Sequence, residues 1–311
     1  MDLKKTQSLA KCKKESYTRF LNLLEKGKRM KKGLVLEGGA MRGLFSAGVT
    51  DAFLEKEISF DGVIGVSAGA AFGCNYISKQ KGRVLRYNTR FSKDKRYCSL
   101  RSLIRTGDLY NADFCYHEIP DHLDILDTET FTHNPAEFVV VCTDVLTGGP
   151  VYQKLEKMDY TDLEWMRASA SMPLASKIVK IDSFRLLDGG IADAIPIKHF
   201  EKNGYDRNVV ILTRPEGYAK TKTKFMPLFK IAFRKYPKFI DALERRHEVY
   251  NETLEHIRQK EKHGNLIAIR PEKALPIGKV EHSADKMRAV HAIGYETGLK
   301  YAERVKDFLN G

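Results

Sequence analysis

The chain has 311 residues, of which 42% are hydrophobic and 30% are charged, and this composition is typical of a globular protein rather than a disordered or fibrous one. The formal net charge of +13 favours anionic partners, a class that includes phospholipid head groups, nucleic acids and acidic metabolites. The five cysteines are scattered and form no C-x-x-C pair, which argues against a disulfide framework and against a zinc site.

The sequence predicts one large domain with appended helices, in three regions. Residues 1–32 hold 11 Lys/Arg against 3 Asp/Glu, with apolar residues at helical spacing, and this pattern predicts a basic helical N-terminal extension. Residues 33–214 are predicted to form the core of the fold. Residues 215–311 are predicted to form a helical C-terminal region with one further strand, packed on the core.

Short apolar runs alternate with helical patterns along the core. Five of these runs are predicted strands: Gly33–Glu37, Phe60–Val66, Glu137–Asp144, Arg207–Thr213 and Asn265–Arg270. A hairpin is predicted over Lys177–Leu187, and a long helix over Asp241–Gly264. The alternation predicts an α/β fold, with a mostly parallel central sheet and helices on both faces.

The pentapeptide Gly65-Val66-Ser67-Ala68-Gly69 matches G-x-S-x-G where a predicted strand passes into a predicted helix. A serine hydroxyl is a poor nucleophile unless it projects into a cleft beside a base, and a tight strand-to-helix turn holds it there. The flanking glycines permit a strained backbone, and the helix N-terminus supplies free N–H groups. Ser67 is therefore a candidate nucleophile, although any Gly/Ser/Ala-rich turn can match this pattern by chance.

A second glycine-rich turn, Gly38–Gly43, also follows a strand and precedes a helix. A P-loop would need Lys-Ser/Thr where Leu44 and Phe45 stand, and a dinucleotide fingerprint would need glycine in place of Ala40. The third use is an oxyanion hole, in which each N–H donor is worth roughly 3–4 kcal/mol in acyl transfer. Adjacent parallel strands end at one edge of a sheet, so both turns are expected to face one cleft.

The tripeptide Asp188-Gly189-Gly190 follows the predicted hairpin, and by itself it reads as a plain turn. Together with the two turns above, and in this order, it resembles the patatin-like phospholipase family. The resemblance covers roughly residues 32–199. It includes Arg167–Pro173, which looks like the helix before the hairpin in bacterial members.

This resemblance implies a three-layer patatin-like architecture and a serine acyl hydrolase that cleaves carboxylic esters of lipids. It implies Ser67 as the nucleophile and Asp188 as its base, with no catalytic histidine, cofactor or metal. The oxyanion would be held by one backbone turn: Gly38, Gly39, Ala40, Arg42 and Gly43. The family usually has a third glycine where this chain has Ala40, so Ala40 must tolerate the backbone geometry of that position.

Two alternatives remain open from the residues alone. In an α/β-hydrolase triad a histidine follows the serine and the acid, and His282 is the best placed of the nine histidines. The other alternative is a non-enzymatic protein that binds a nucleotide or a nucleic acid, in which Ser67 is incidental. No nucleic-acid recognition motif is present, so a nucleic-acid partner is not expected.

Basic residues cluster twice, and both clusters suit a membrane surface as well as a solvated face. Residues 79–105 hold ten Lys/Arg against Asp94, and residues 218–240 hold seven with no acid, interleaved with Phe and Tyr. The N-terminus lacks the apolar stretch of a secretory signal, and no run is long enough to cross a bilayer. These features predict a cytoplasmic protein whose partner is a lipid or fatty-acyl ester, with an anionic membrane as a peripheral contact.

Overall fold

The computed structural model describes residues 30–311, in which eight strands form one sheet. The strands are β1 (Lys31–Leu36), β2 (Gly62–Val66), β3 (Glu137–Asp144), β4 (Pro150–Leu155), β5 (Val179–Ile181), β6 (Phe184–Asp188), β7 (Tyr205–Ile211) and β8 (Leu266–Ile269). Their order is β5-β6-β3-β2-β1-β7-β8, and β4 pairs with β3. The five strands from β3 to β8 in that order are parallel, while β4, β5 and β6 pair antiparallel. The predicted mostly parallel sheet is confirmed.

Helices connect and cover these strands. They are α1 (Gly43–Glu55), α2 (Ala68–Ile77), α3 (Arg83–Phe91), α4 (Leu100–Thr106), α5 (Thr128–His133), α6 (Tyr160–Ser169), α7 (Ile197–Lys202), α8 (Met226–Ala232), α9 (Pro237–Lys262) and α10 (Ala284–Asn310), with a π-helical segment over Phe114–Leu123. None of the helices in residues 30–311 has the length and apolar content to cross a membrane.

Alternate residues of the central strands enter two different cores, which makes the architecture three-layered. Leu34 and Leu36 of β1 pack with α1 and its neighbours, whereas Val35 packs on the opposite face with α7 and α9. Successive side chains of a strand point to opposite faces, so a strand covered on both sides must be apolar throughout. The helices on both faces of the sheet confirm the predicted fold class.

The structure corrects the predicted elements in two places. Lys31 and Lys32, assigned from sequence to the basic extension, begin β1; the rest of that extension up to residue 29 lies outside the described residues. Strand β4 was not predicted. It is an edge strand whose residues are mostly partly exposed or exposed, so it has no continuous apolar run to reveal it.

The C-terminal region is integrated into the sheet and its helical cover. Its strand β8 pairs parallel with β7, and its helix α10 packs closely along α1. A Cβ on Gly48 of α1 would lie 2.1 Å from the carbonyl oxygen of His291, and one on Gly294 would lie 2.1 Å from that of Phe45. The two helices therefore approach at a distance that only glycine permits at both positions.

The long helix α9 confirms the predicted helix over Asp241–Gly264, with a start four residues earlier. Its inward face buries Leu243, Tyr250, Leu254 and Ile257. His247 is only partly buried, and its ring contacts the carbonyl oxygen of Glu244.

Candidate active site

Ser67 lies at the turn between β2 and α2, with φ 55° and ψ −120°. A positive φ is costly for a residue with a side chain, so the surrounding structure must hold Ser67 in this conformation. A Cβ on Gly65 would lie 2.4 Å from the carbonyl oxygen of Gly69, and one on Gly69 would lie 2.4 Å from that of Leu36. Both glycines of the G-x-S-x-G motif are therefore required sterically, because the backbone folds tightly around Ser67.

Strand β3 determines how Ser67 meets Asp188. The last residue of β2, Val66, is in register with Val141, and Asp188 at the end of β6 is in register with the next residue, Cys142. Since β4 pairs along the other edge of β3, β2 and β6 must follow each other along one edge. The Ser67 hydroxyl consequently donates a 2.8 Å hydrogen bond to Oδ2 of Asp188, across 121 residues of sequence.

The other carboxylate oxygen of Asp188 is held by the backbone. Oδ1 accepts a 2.7 Å hydrogen bond from the N–H of Gly190, whose carbonyl oxygen in turn accepts a 2.5 Å bond from Nε of Arg246. Burial raises the pKa of Asp188, while the nearby charge of Arg246 and the hydrogen bond from Ser67 lower it. A carboxylate in this setting is a stronger base than one in water.

A serine that was not singled out as a site residue supports the turn from behind. Ser169, at the end of α6, is fully buried, and its hydroxyl oxygen accepts a 3.0 Å hydrogen bond from the N–H of Ser67. The same hydroxyl donates to the carbonyl oxygen of Val141 at 2.6 Å. Ser169 therefore ties the turn to β3. It lies within the Arg167–Pro173 segment of the family resemblance, which was the only sequence signal for it.

The glycine-rich turn lies against Ser67, as its sequence predicts. A Cβ on Gly38 would lie 3.1 Å from Cβ of Ser67, and one on Gly39 would lie 2.7 Å from Oγ1 of Thr213. The N–H of Arg42 donates to the carbonyl oxygen of Gly39, and the N–H of Gly43 donates within the turn as well. Of the N–H groups predicted to hold an oxyanion, those of Arg42 and Gly43 are thus already engaged.

The remaining backbone donors come from both turns. Within residues 30–311, the N–H groups of Gly38 and Gly39 have no acceptor in the protein. Ala68 is the first residue of α2, and the N–H groups of a helix's first turn have no partner within the helix. Together these groups form a candidate oxyanion hole, to which Ala68 was not assigned from sequence.

Ala40 has a φ of 49°, which confirms the expectation that it adopts a glycine-like backbone. This conformation costs a residue with a Cβ about 1–2 kcal/mol. We expect Ala40→Gly to stabilise the protein by up to about 1 kcal/mol after the entropy lost by glycine on folding, raising the thermal midpoint by about 2 °C. Thermal unfolding measures the change. The matched control, Ala70→Gly in helix α2, should lower the midpoint, and a lowered midpoint in Ala40→Gly would show that Ala40 carries no strain.

A cavity of about 120 Å³ opens beside Ser67. Its wall is largely apolar and is built from α2, α3, α6, the π-helical segment and the loop that follows that segment. The wall includes the following side chains: Phe72, Tyr87, Ile119, Leu126, Leu163 and Met166. Such a lining suits a hydrocarbon chain better than a polar group. Residues 30–311 contain no group of three His, Cys, Asp or Glu side chains placed to hold a metal ion.

Among residues 30–311, no histidine forms a hydrogen bond with Ser67 or Asp188. All nine histidines lie in the described part of the chain, and none of their hydrogen bonds involves either residue. Nδ1 of His282, the candidate for a triad, lies 2.7 Å from the carbonyl oxygen of Ser92.

Two family models match the chain. The model described as patatin-like phospholipase covers residues 34–200, which are more than half of the chain and include both Ser67 and Asp188. The chain belongs to the patatin-like phospholipase family. C-terminal to the patatin-like segment, a model described as a domain of unknown function (DUF6363) covers residues 236–310, from α9 to the end of α10.

The chain also matches individual proteins, and each match covers only part of that protein's length. The protein YjjU of Escherichia coli is 33% identical over 190 residues, which are 58% of this chain and 52% of that protein. The lysophospholipase nte1 of Aspergillus terreus is 25% identical over 298 residues, 88% of this chain and 18% of that protein. Among solved structures, VipD of Legionella pneumophila has a TM-score of 0.43 and 12% identity, covering 89% of this chain and 67% of that chain. The matched segments therefore span about half of YjjU and less than a fifth of nte1.

Proposed function

We propose that this patatin-like protein is a serine acyl hydrolase that cleaves carboxylic ester bonds of lipids. The observation that carries the proposal is the 2.8 Å hydrogen bond from the hydroxyl of Ser67 to Oδ2 of Asp188, at a strained turn beside an apolar cavity. The family membership and the activity named for the fungal relative, a lysophospholipase, support the same class of reaction.

In the proposed mechanism, Oγ of Ser67 attacks the ester carbonyl carbon while its proton passes to Oδ2 of Asp188. The carbonyl oxygen becomes an oxyanion and accepts hydrogen bonds from the N–H groups of Gly38, Gly39 and Ala68. Collapse of this intermediate breaks the bond to the alcohol, which leaves with the proton from Asp188. A water molecule then gives a proton to Asp188 and attacks the acyl-enzyme, releasing the fatty acid and returning the proton to Ser67.

A fluorophosphonate probe tests this proposal directly, because it reacts with activated serines. We expect the full chain to be labelled at Ser67 and to hydrolyse p-nitrophenyl esters. A chain that is neither labelled nor active, and that instead binds a nucleotide or a nucleic acid, would replace the hydrolase by the binding-protein alternative.

The charge of Arg246 should set the acid limit of activity. Asp188 must be ionised to take the proton, so turnover falls as the pH drops through the pKa of Asp188. Burial has raised this pKa above the usual value of about 3.9. Removing the nearby positive charge raises that pKa further. We expect Arg246→Gln to move the acid limb of kcat/KM at least about 0.5 pH units upward.

The matched control for Arg246→Gln is Arg245→Gln, which removes the same charge from the next residue of α9. The side chain of Arg245 is 73% exposed and contacts Glu248. The acid limb of kcat/KM in Arg245→Gln should stay where it is in the wild type. The pH dependence of p-nitrophenyl ester hydrolysis is measured for both variants. Equal profiles for the two variants would show that Arg246 does not act on Asp188.

We further propose that residues 218–240 contact an anionic membrane. On and before α8, Phe225, Leu228 and Ile231 are 66%, 50% and 70% exposed, in a segment without an acidic residue. Phe233 and Phe239 are buried, so the aromatic residues of this segment divide between a core and the surface. Exposed apolar side chains among lysines suit the boundary between head groups and acyl chains.

Lysines of this segment should each contribute about 1 kcal/mol to binding at an acidic lipid surface. We expect the combined change of Lys222, Lys224, Lys235 and Lys238 to Gln to weaken binding to phosphatidylglycerol vesicles at least about 100-fold while soluble-ester turnover is retained. Vesicle sedimentation at low and high salt measures this. A control with the same charge loss changes exposed lysines elsewhere: Lys202, Lys262, Lys286 and Lys300. Equal binding by both variants would show that residues 218–240 form an ordinary solvent-exposed surface rather than a membrane contact.

A further inference from the structure

Five cationic side chains act electrostatically on one another around the carboxyl groups of Asp188 and Glu37. Among residues 30–311, none of them forms a direct ion pair. One belongs to the glycine-rich turn and the others follow β7 in sequence: Arg42, Arg214, Lys220, Arg246 and Lys279. Four of them are partly buried, whereas Lys279 is exposed. Cations that are partly withdrawn from water in such numbers are normally paired with acidic residues.

Helix α9 holds the centre of this cluster in place. Arg246 and Tyr250 are four residues apart and so share one face of the helix. Arg246 donates to the carbonyl oxygen of Gly190 at 2.5 Å, directly behind Asp188. Nζ of Lys220 lies 3.9 Å from the ring centroid of Tyr250. The helix thus brings Arg246 and Lys220 to the same side of Asp188.

The nearby buried acid, Glu37, is occupied by other donors. Its carboxylate accepts hydrogen bonds from the N–H and the hydroxyl of Thr213 at 2.5 and 3.0 Å, and from the hydroxyl of Tyr250 at 2.6 Å. The backbone of Lys220 is also fixed, by two hydrogen bonds with the side chain of Asn251 at 2.8 and 2.9 Å. The position of Lys220 is therefore built into the fold.

The cations destabilise one another in this arrangement. Burial and the charge of Arg246 lower the pKa of Lys220 to about 7, and partial desolvation together with the charge of Arg246 lowers the pKa of Lys279, whose side chain stays exposed. Burial and the charge of Arg214 lower the pKa of Arg42, whose Nε is buried and has no hydrogen-bond partner among residues 30–311. An anion bound among these groups would relieve their mutual repulsion and supply the missing acceptor.

We propose that these five side chains form a subsite for a phosphate-bearing, net-anionic head group of the lipid substrate. The proposal rests on the hydrolase function proposed above. Ser67 lines the apolar cavity, whereas none of the five cations does, and Arg246 reaches Asp188 through Gly190 instead. The acyl chain and the head group would then lie on opposite sides of the scissile ester. Arg246 and Lys279 come from the segment matched by the domain of unknown function, which gains a role in substrate selection.

Phosphate suits this subsite because arginine and lysine together give several charged donors to its oxygens. A zwitterionic head group carries a cation of its own, which the cluster would repel. The enzyme should therefore prefer lysophosphatidic acid to lysophosphatidylcholine with the same acyl chain, both used as monomers.

The first test compares kcat/KM for these two substrates in Lys220→Gln and in Lys279→Gln. In each variant we expect the preference for the acidic lipid to fall at least about tenfold, mainly through KM, because a head group is bound equally in the ground and transition states. Lys273→Gln is the control, since Lys273 is an exposed lysine of the same loop as Lys279 and lies outside the cluster. A preference that is unchanged in both cluster variants would overturn the subsite.

The second test measures binding without turnover, by calorimetry of Ser67→Ala with glycerol 3-phosphate or inorganic phosphate. We expect glycerol 3-phosphate to bind more tightly than inorganic phosphate, and its affinity to fall at least about tenfold when Lys279→Gln is added. Equal affinities, without a preference for the acidic lipid, would assign the site to free phosphate and overturn the head-group proposal. If the wild type hydrolyses no ester yet binds glycerol 3-phosphate through Lys279, the hydrolase proposal fails and the anion site stands.

Discussion

Ser67→Ala is expected to abolish fluorophosphonate labelling and to lower the turnover of short p-nitrophenyl esters by at least about 10³-fold. The change removes the attacking oxygen and leaves the backbone donors of both turns in place. It also removes a single hydrogen bond, the one to Asp188, so the thermal midpoint should move by only about 3 °C or less. Labelling, turnover and thermal unfolding are measured on the same preparation.

A matched control for Ser67→Ala is Ser78→Ala. Ser78 is also buried, and its hydroxyl donates to the carbonyl oxygen of Asn75 at the end of α2. This variant should keep turnover within about threefold of wild type, because its serine has no contact with the pair. If Ser67→Ala kept more than about a tenth of wild-type turnover, Ser67 would not be the nucleophile.

Asp188→Asn is expected to lower turnover by about 10²–10⁴-fold, the usual loss for a general base. The amide has nearly the shape of the carboxylate and its oxygen can still accept from the N–H of Gly190, but it cannot take the proton of Ser67. Asp193→Asn is the control, because Asp193 is a nearby carboxyl group in the same segment and bonds instead to the hydroxyl of Tyr152. It should change turnover less than about fivefold.

Histidine variants separate the Ser-Asp mechanism from a triad. His282→Ala should change turnover less than about tenfold, since its ring contacts Ser92 rather than the pair. A large loss in His282→Ala, together with a mild loss in Asp188→Asn, would assign the base to histidine.

The sequence by itself determined the layered architecture and the position of the candidate nucleophile. A strand such as Glu137–Asp144 can be predicted from its apolar run, because a parallel strand is buried on both faces and must be apolar along its length. The glycines around Ser67 indicate the tight turn for a related local reason: the backbone of the turn leaves no room for a Cβ at Gly65 or Gly69. Both signals depend on residues that are close together in the chain.

Asp188 stood between these cases. The tripeptide Asp188-Gly189-Gly190 by itself indicated a turn, and the role of base proposed for Asp188 came from the resemblance to the family. The pairing with Ser67 depends on the register of β3, where Val141 faces the end of β2 and Cys142 faces Asp188. A register between strands far apart in sequence is set by tertiary packing, and no local pattern encodes it.

Only the tertiary structure decided which charged residues surround the site. From sequence, Lys220 was one of seven basic residues in a stretch assigned to a membrane surface or a solvated face, and Arg246 carried no signal at all. The packing of α9 places Arg246 behind Asp188 and places Tyr250 beneath Lys220. Charge acts through space, so its effect on Asp188 depends on which helix face is turned toward the sheet, and that choice belongs to the folded chain as a whole.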